Sequence, residues 1–128
     1  MLNIRIEKTA APKAKPADES QLGFGHIFTD HMAMIDWSAD EGWHDARIVP
    51  FANFSMHPAA TCLHYGQEAF EGLKAYRRAD GRIQLFRPDQ NARRMIDSAE
   101  RLCLPQLPEE DFLQILKAFV ALEADWVP

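Results

Sequence analysis

The sequence predicts an α+β domain, in which an antiparallel sheet carries helices packed on one side. Three observations lead to this fold class. Two runs of alternating apolar and polar residues come first, two shorter runs around an Asp-Gly turn follow, and two amphipathic helical segments come last. The chain shows no strand–helix–strand alternation, so a parallel α/β sheet is not expected.

The first 21 residues are predicted to form a flexible N-terminal arm. Met1–Ile6 alternates apolar and polar residues like a short strand, but the following residues are rich in Lys and Ala and include Pro12 and Pro16. Such a composition is typical of a linker. The small α+β domain is therefore expected over residues 22–128.

The first predicted elements of the domain are the two strands of a β-hairpin. Residues 27–37 alternate and are rich in aromatic and β-branched side chains, and residues 43–51 form a second run that Pro50 limits. The turn sequence Ser-Ala-Asp-Glu-Gly at 38–42 separates them. A hairpin of these two strands follows from the pattern.

The stretch from 63 to 95 is predicted to run from a short helix through a hairpin into a longer helix. The helical period ends at Gly72, and Asp80-Gly81 is a strong hairpin signal between two alternating runs. Asp89 is predicted to be the N-cap of the helix that follows. The apolar face of that helix comprises Ala92, Met95, Ile96, Ala99, Leu102 and Cys103.

A last helix is predicted from about Pro108 to about Ala124. Glu109 and Glu110 suit a helix N-terminus, and apolar residues then recur at the helical period. The chain stops at Pro128, soon after this apolar helix and without a cap. We therefore expect the sequence to be part of a longer protein.

Composition argues against several classes of partner. The formal charge of −5 disfavours general binding to nucleic acid, which needs a basic face. Cys62 and Cys103 lie far apart without metal-type spacing, so a reduced, cytoplasmic protein is expected. No apolar run reaches the ~20 residues of a membrane helix.

Most catalytic patterns are missing from the sequence. The histidine spacings match no zinc motif, no serine lies in a GxSxG setting, and neither GxGxxG nor a P-loop is present. Glu68 and Glu71 are three residues apart and could act as an acid–base pair. A solvated or ion-paired turn explains the same spacing.

Arginines and aromatic residues are the better candidates for a binding site. Arg87, Arg93 and Arg94 gather at the start of the longer helix, where backbone N–H groups favour an anion such as phosphate. Exposed arginines on an amphipathic helix are the alternative. The aromatic residues Phe24, Tyr65 and Phe70 could line an apolar pocket or belong to the core.

Several strings occur in order between residues 22 and 128: FGHIFTDHMAMIDW, RIVPFANFSMHPAATCLHYGQEAFEGLKAYR, IQLFRPDQNARRMIDSAERLCLP and DWVP. Together they resemble the N-terminal small domain of branched-chain amino acid aminotransferases, which are fold-type IV pyridoxal-phosphate enzymes. The FTDHM and LHYGQEAFEG strings distinguish this resemblance from D-amino acid aminotransferases and aminodeoxychorismate lyases.

The resemblance implies a transaminase that moves the amino group of leucine, isoleucine or valine to 2-oxoglutarate, with pyridoxal phosphate as cofactor of the full-length enzyme. By motif, Arg94 would bind the cofactor phosphate, and Phe24, Tyr65 and Phe70 would form the walls around the substrate side chain. The family acts as a homodimer, so Tyr65 would serve across the subunit interface.

The resemblance also implies that the Schiff-base lysine lies in a following, larger domain. No lysine of this chain occupies the matching motif, and Lys74 corresponds to a family lysine that is not catalytic. We therefore expect this chain alone to be inactive. A stand-alone association or anion-binding module with the same fold is the alternative, and the reading frame after Pro128 would distinguish the two.

Overall fold

The structure is a computed structural model that describes residues 1–128. Its strands are β1 (Arg5–Ile6), β2 (His31–Ser38), β3 (Gly42–Pro50), β4 (Ala75–Arg77) and β5 (Ile83–Leu85). Its helices are α1 (Thr61–His64), α2 (Pro88–Arg101) and α3 (Glu109–Leu122), with single 3₁₀ turns at Glu19–Gln21 and Ala124–Trp126. The predicted α+β class is confirmed.

The first predicted hairpin is the centre of the larger sheet. β2 and β3 pair antiparallel, with Ala33 opposite Ile48 and Trp37 opposite Trp43. The strand order is β1-β3-β2, and β1 joins β3 in parallel, with Ile6 also opposite Ile48. The sheet is therefore not purely antiparallel, because the start of the chain adds an edge strand in the other sense.

Further contacts attach the first residues to the domain. The side-chain amide of Gln114 bonds both backbone groups of Leu2, at 2.8 Å each. The Lys13 ammonium donates to the carbonyl of Thr29 at 2.8 Å. The boundary at residue 21 and the flexibility of this arm remain predictions, and the contacts supply a way to test them.

The Asp-Gly hairpin forms as predicted, but as a separate two-stranded sheet of β4 and β5. Gly81 has φ +80°, a conformation that glycine adopts without steric cost. The Asp80 carboxylate accepts from the backbone N–H of Arg82 at 3.1 Å, which closes the turn. The four predicted domain strands thus divide between two sheets.

The two long helices pack against each other, and α3 also contacts β2. α3 begins at Glu109 as predicted, with Pro108 as its N-cap. Ala92 and Ala99 of α2 and Ile115 of α3 are buried, together with Ala46 and Ile48 of β3. These small and branched side chains form the core between the helices and the sheet.

Two local predictions for the helices are wrong. The N-cap of α2 is Arg87, and Asp89 lies in the first helical turn. The short helix predicted around Glu68 lies earlier, at α1, and residues 66–74 have no regular structure. Gly66 adopts φ +60°, which ends α1 before the apolar period of the following residues can continue it.

None of the helices combines the length and the apolar character that crossing a lipid bilayer demands.

Candidate functional site

A cavity of about 360 Å³ opens where the irregular segment before β4 meets the start of α2. Three cationic side chains line it: Lys74, Arg87 and Arg94. The other lining residues are Gly72, Leu73, Tyr76, Phe86, Gln90 and Asn91. A concave surface with converging cations can bind an anion.

The Arg94 guanidinium makes a two-pronged ion pair with Glu71 beside this cavity. Nε donates to Oε2 at 2.9 Å, and Nη2 donates to Oε1 at 2.5 Å. The Arg94 side chain is 64% exposed, whereas that of Glu71 is only 8% exposed. The pair uses one edge of the guanidinium, so the N–H groups on its other edge remain free for a ligand.

Glu71 is held by further hydrogen bonds on its protein side. Its Oε1 also accepts from Asn91 Nδ2 and from the backbone N–H of Gly72, both at 2.9 Å. The Arg94 hydrogen bond, assisted by these two donors, lowers the pKa of Glu71 from 4.5 to about 2 against the opposing effect of burial. Glu71 is therefore a carboxylate at neutral pH.

Arg87 begins α2 in a left-handed conformation, with φ 47° and ψ 51°. This conformation costs a non-glycine residue about 1–2 kcal/mol. It places Arg87 on the cavity wall at the end of the helix where unpaired backbone N–H groups concentrate. The dipole of α2 and the three cations therefore favour the same sign of ligand charge.

Arg93 does not take part in this cavity. Its Nε donates to Glu109 Oε2 of α3 at 3.1 Å, and its side chain is absent from the cavity wall. This pair links α2 to α3. Of the three arginines that the sequence brought forward, the structure places Arg87 and Arg94 together and Arg93 elsewhere.

Glu71 is paired with a cation, as the ion-paired interpretation of the sequence expects, but residues 66–74 form no helical turn. Glu68 is exposed and has no side-chain hydrogen bond. The two carboxylates do not form an acid–base pair on a helical turn, since no helix includes them.

The predicted substrate-wall residues are all at the surface. Phe24 is 93% exposed, Tyr65 86% and Phe70 89%, so none belongs to the core of this chain. None of them lines the arginine cavity. Phe86, which is 74% exposed, is an aromatic residue on the cavity wall that the sequence reasoning did not single out.

A second polar cluster lies in the interior and was also missed. Glu123 at the end of α3 bonds His31, and its other oxygen accepts from the backbone N–H of Asp30 at 3.0 Å. No local signal marks Glu123, because its partners lie more than 90 residues earlier in the chain. The structure contains no group of three or more His, Cys, Asp or Glu side chains able to hold a metal ion.

Comparison with curated proteins finds close relatives over nearly the whole chain. The chain is 52% identical over 125 residues to branched-chain-amino-acid aminotransferase 2 of Bacillus subtilis, and the match covers 98% of this chain. It is 48% identical over 130 residues to the branched-chain-amino-acid aminotransferase of Mycolicibacterium smegmatis, covering 99%. The chain is a homologue of branched-chain-amino-acid aminotransferases.

The chain spans about a third of the length of these aminotransferases, 34% and 35% of the two relatives. Branched-chain-amino-acid transaminase 1 of Bacillus subtilis matches to the same extent, with 52% identity over 125 residues. No protein-family model matches the chain. The resemblance read from the sequence strings is thus confirmed by aminotransferases of more than one organism.

Proposed function

We propose that this chain is the N-terminal small domain of a pyridoxal-phosphate-dependent branched-chain amino acid aminotransferase, and that Arg94 binds the cofactor phosphate. The reaction transfers the α-amino group of leucine, isoleucine or valine to 2-oxoglutarate, which yields a branched 2-oxo acid and glutamate. About 50% identity to curated aminotransferases supports the family assignment. The observation that carries the site is the cationic cavity with the free edge of Arg94.

The residues of the cavity fit a phosphate group. The cavity wall carries three positive charges, from Lys74, Arg87 and Arg94. Glu71 compensates one of these charges through its ion pair with Arg94. The remaining positive charge matches a phosphate of about −1.5 to −2. Arginine N–H groups and the start of a helix are both common phosphate ligands.

Bound pyridoxal phosphate supplies the electron sink that amino-group transfer requires. In this proposal Arg94 holds the phosphate and so fixes where the reactive end of the cofactor lies. Arg87 and Lys74, which also line the cavity, are proposed to add electrostatic attraction for the phosphate. Orientation of this kind is how a binding residue far from the reacting atoms contributes to rate.

Phe24, Tyr65 and Phe70 are proposed to contact the aliphatic side chain of the substrate and to exclude water. Their exposure supports this role, because exposed aromatic surfaces are available to contact a substrate and further polypeptide. Part of that polypeptide is proposed to be the second subunit of a homodimer, with Tyr65 acting across the interface. The enzyme is proposed to work in the cytoplasm.

The covalent step is proposed to depend on a lysine outside this chain. The cavity contains Lys74, but the Lys74 ammonium here is one of three cations that suit phosphate binding. A domain of the remaining length would supply the reacting lysine, since the chain spans about a third of its relatives. The 128 residues alone are therefore expected to show no turnover.

The test is amino-group transfer by the complete protein expressed from its native reading frame. Glutamate formation from 2-oxoglutarate is measured with leucine, isoleucine and valine in turn, for the unchanged protein and for Arg94→Gln. Arg93→Gln is the matched control, because Arg93 lies on the same helix and pairs with Glu109.

We expect turnover with at least one branched amino acid, a large loss in Arg94→Gln and little change in Arg93→Gln. Absence of turnover with all three substrates would overturn the proposed reaction. Retention of phosphate binding in that case would favour a non-catalytic anion-binding module.

A further inference from the structure

We propose that Glu71 is a positioning residue that holds the Arg94 guanidinium with its free N–H edge directed to the phosphate. This inference rests on the proposed function, in which Arg94 binds the phosphate. It adds a role for a carboxylate that would otherwise weaken the binding of an anion.

The geometry of the pair supports an orienting role. Both oxygens of Glu71 accept from Arg94, through Nε at 2.9 Å and Nη2 at 2.5 Å. Two parallel hydrogen bonds fix the plane of a guanidinium as well as its position. Arg94 lines the cavity whereas Glu71 does not, so Arg94 is the member of the pair that can contact a ligand in the cavity.

Glu71 can orient Arg94 because it is itself anchored. Its side chain is nearly buried, and Asn91 Nδ2 bonds both Glu71 Oε1 and the carbonyl of Gly72, at 2.9 Å each. Asn91 is 7% exposed and lies one turn before Arg94 in α2. Glu71 belongs to the irregular segment before β4, and the hydrogen bond from Asn91 attaches its carboxylate to α2, the helix that carries Arg94.

Without Glu71, Arg94 would be a long and largely exposed side chain with freely rotating bonds. Binding a phosphate would then have to immobilise it, at about 0.5–1.5 kcal/mol for a side chain of this kind. That cost corresponds to a loss of about 2- to 10-fold in affinity. If Glu71 acted only through its negative charge, its removal would instead strengthen phosphate binding. An orienting role and a purely electrostatic role of Glu71 therefore predict opposite changes in affinity.

The test compares pyridoxal phosphate with pyridoxal, which lacks only the phosphate. Dissociation constants of both are measured by spectral titration on the complete apoprotein, for the unchanged protein, Glu71→Gln, Arg94→Gln and the double variant. Glu109→Gln is the matched control, because it removes the carboxylate partner of the neighbouring Arg93.

We expect Glu71→Gln to weaken the binding of pyridoxal phosphate about 2- to 10-fold and to leave the binding of pyridoxal unchanged. The double variant should bind like Arg94→Gln alone, because Glu71 acts only through Arg94. Glu109→Gln should retain the full preference for the phosphorylated compound.

Two results would overturn the positioning role while the proposed function stands. In one, Arg94→Gln loses the preference for pyridoxal phosphate but Glu71→Gln keeps or increases it. In the other, Glu71→Gln weakens both compounds equally, as a general structural role would. If Arg94→Gln keeps the preference, the phosphate assignment itself fails, and the role of Glu71 fails with it.

Discussion

The imidazole of His31 donates a hydrogen bond from Nδ1 to the carboxylate of Glu123, although 92 residues separate the two in sequence. Nε2 of the same ring accepts from the backbone N–H of Thr9 at 2.9 Å, which is the hydrogen-bond geometry of the tautomer protonated on Nδ1. Asp30 donates its backbone N–H to the second oxygen of Glu123. One buried carboxylate therefore connects the end of α3 with β2 and, through His31, with the N-terminal segment.

Glu123→Ala is expected to destabilise the protein by about 2–4 kcal/mol, because two buried donors lose their acceptor. The free energy of unfolding in urea measures the effect. Glu100→Ala is the matched control, since Glu100 is exposed on α2 without a side-chain partner, and its change should stay within about 0.5 kcal/mol. Similar small losses in both variants would contradict the importance of the buried cluster.

Glu71 is expected to make stability depend on pH in the acidic range. Its pKa falls from 4.5 to about 2 on folding, chiefly through the Arg94 hydrogen bond. The folded chain binds the proton less readily than the unfolded chain, so this stabilisation is complete above about pH 4.5 and is lost as the pH falls towards 2.

Urea unfolding at a series of pH values measures this dependence. Glu71→Gln should give a flatter curve than the unchanged protein below about pH 4.5, since the titrating group is gone. Arg94→Gln should flatten the curve as well, because it removes the largest cause of the shift. Parallel curves for all three proteins would show that the ion pair does not persist in solution.

Hydrogen exchange can decide how ordered the N-terminal arm is. The amides of Glu7, Thr9 and Lys13 donate to Ile48 O, His31 Nε2 and Asp30 Oδ1 at 2.8–2.9 Å. They are expected to exchange more slowly than the amide of Ala14, which has no acceptor, because exchange requires opening of the hydrogen bond. Equally fast exchange throughout residues 1–21 would instead favour the flexible arm that the sequence predicts.

The exposed aromatic residues are expected to matter more for substrate than for stability. Phe70→Ala should change the free energy of unfolding by no more than about 0.5 kcal/mol, since Phe70 is 89% exposed. In the complete enzyme it should lower kcat/KM for leucine about 10- to 100-fold, through lost burial of the substrate side chain. The control is Phe54→Ala, which changes another exposed aromatic residue and should retain kcat/KM. Equal losses of kcat/KM in both variants would contradict the proposed contact between Phe70 and the substrate side chain.

The sequence predicted best the elements whose conformation depends on a few neighbouring residues. The Asp80-Gly81 turn forms because glycine accepts positive φ and Asp80 bonds the backbone nearby. The start of α3 at Glu109 follows from Pro108 and the acidic first turn. The start of α2 was wrong because Arg87 takes a left-handed conformation that its residue type does not indicate.

The sequence identified only part of the candidate site, because the partners of its arginines depend on tertiary packing. Arg94 stood out as one of three arginines, and the strings shared with aminotransferases selected it. The pattern could not tell that Arg93 pairs with Glu109 of α3 while Arg94 pairs with Glu71. Adjacent helical residues point about 100° apart, so which neighbour each one meets depends on how the helix is packed.

By itself, the sequence determined the α+β class, both hairpins, the last helix and the resemblance to branched-chain aminotransferases. These depend on periodicity, turn chemistry and strings of consecutive residues. Only the tertiary structure decided that β1 pairs in parallel, that His31 bonds Glu123 and that Glu71 holds Arg94. The last two join residues 92 and 23 positions apart, and such contacts exist only once the packing of helices and sheets has brought distant segments together.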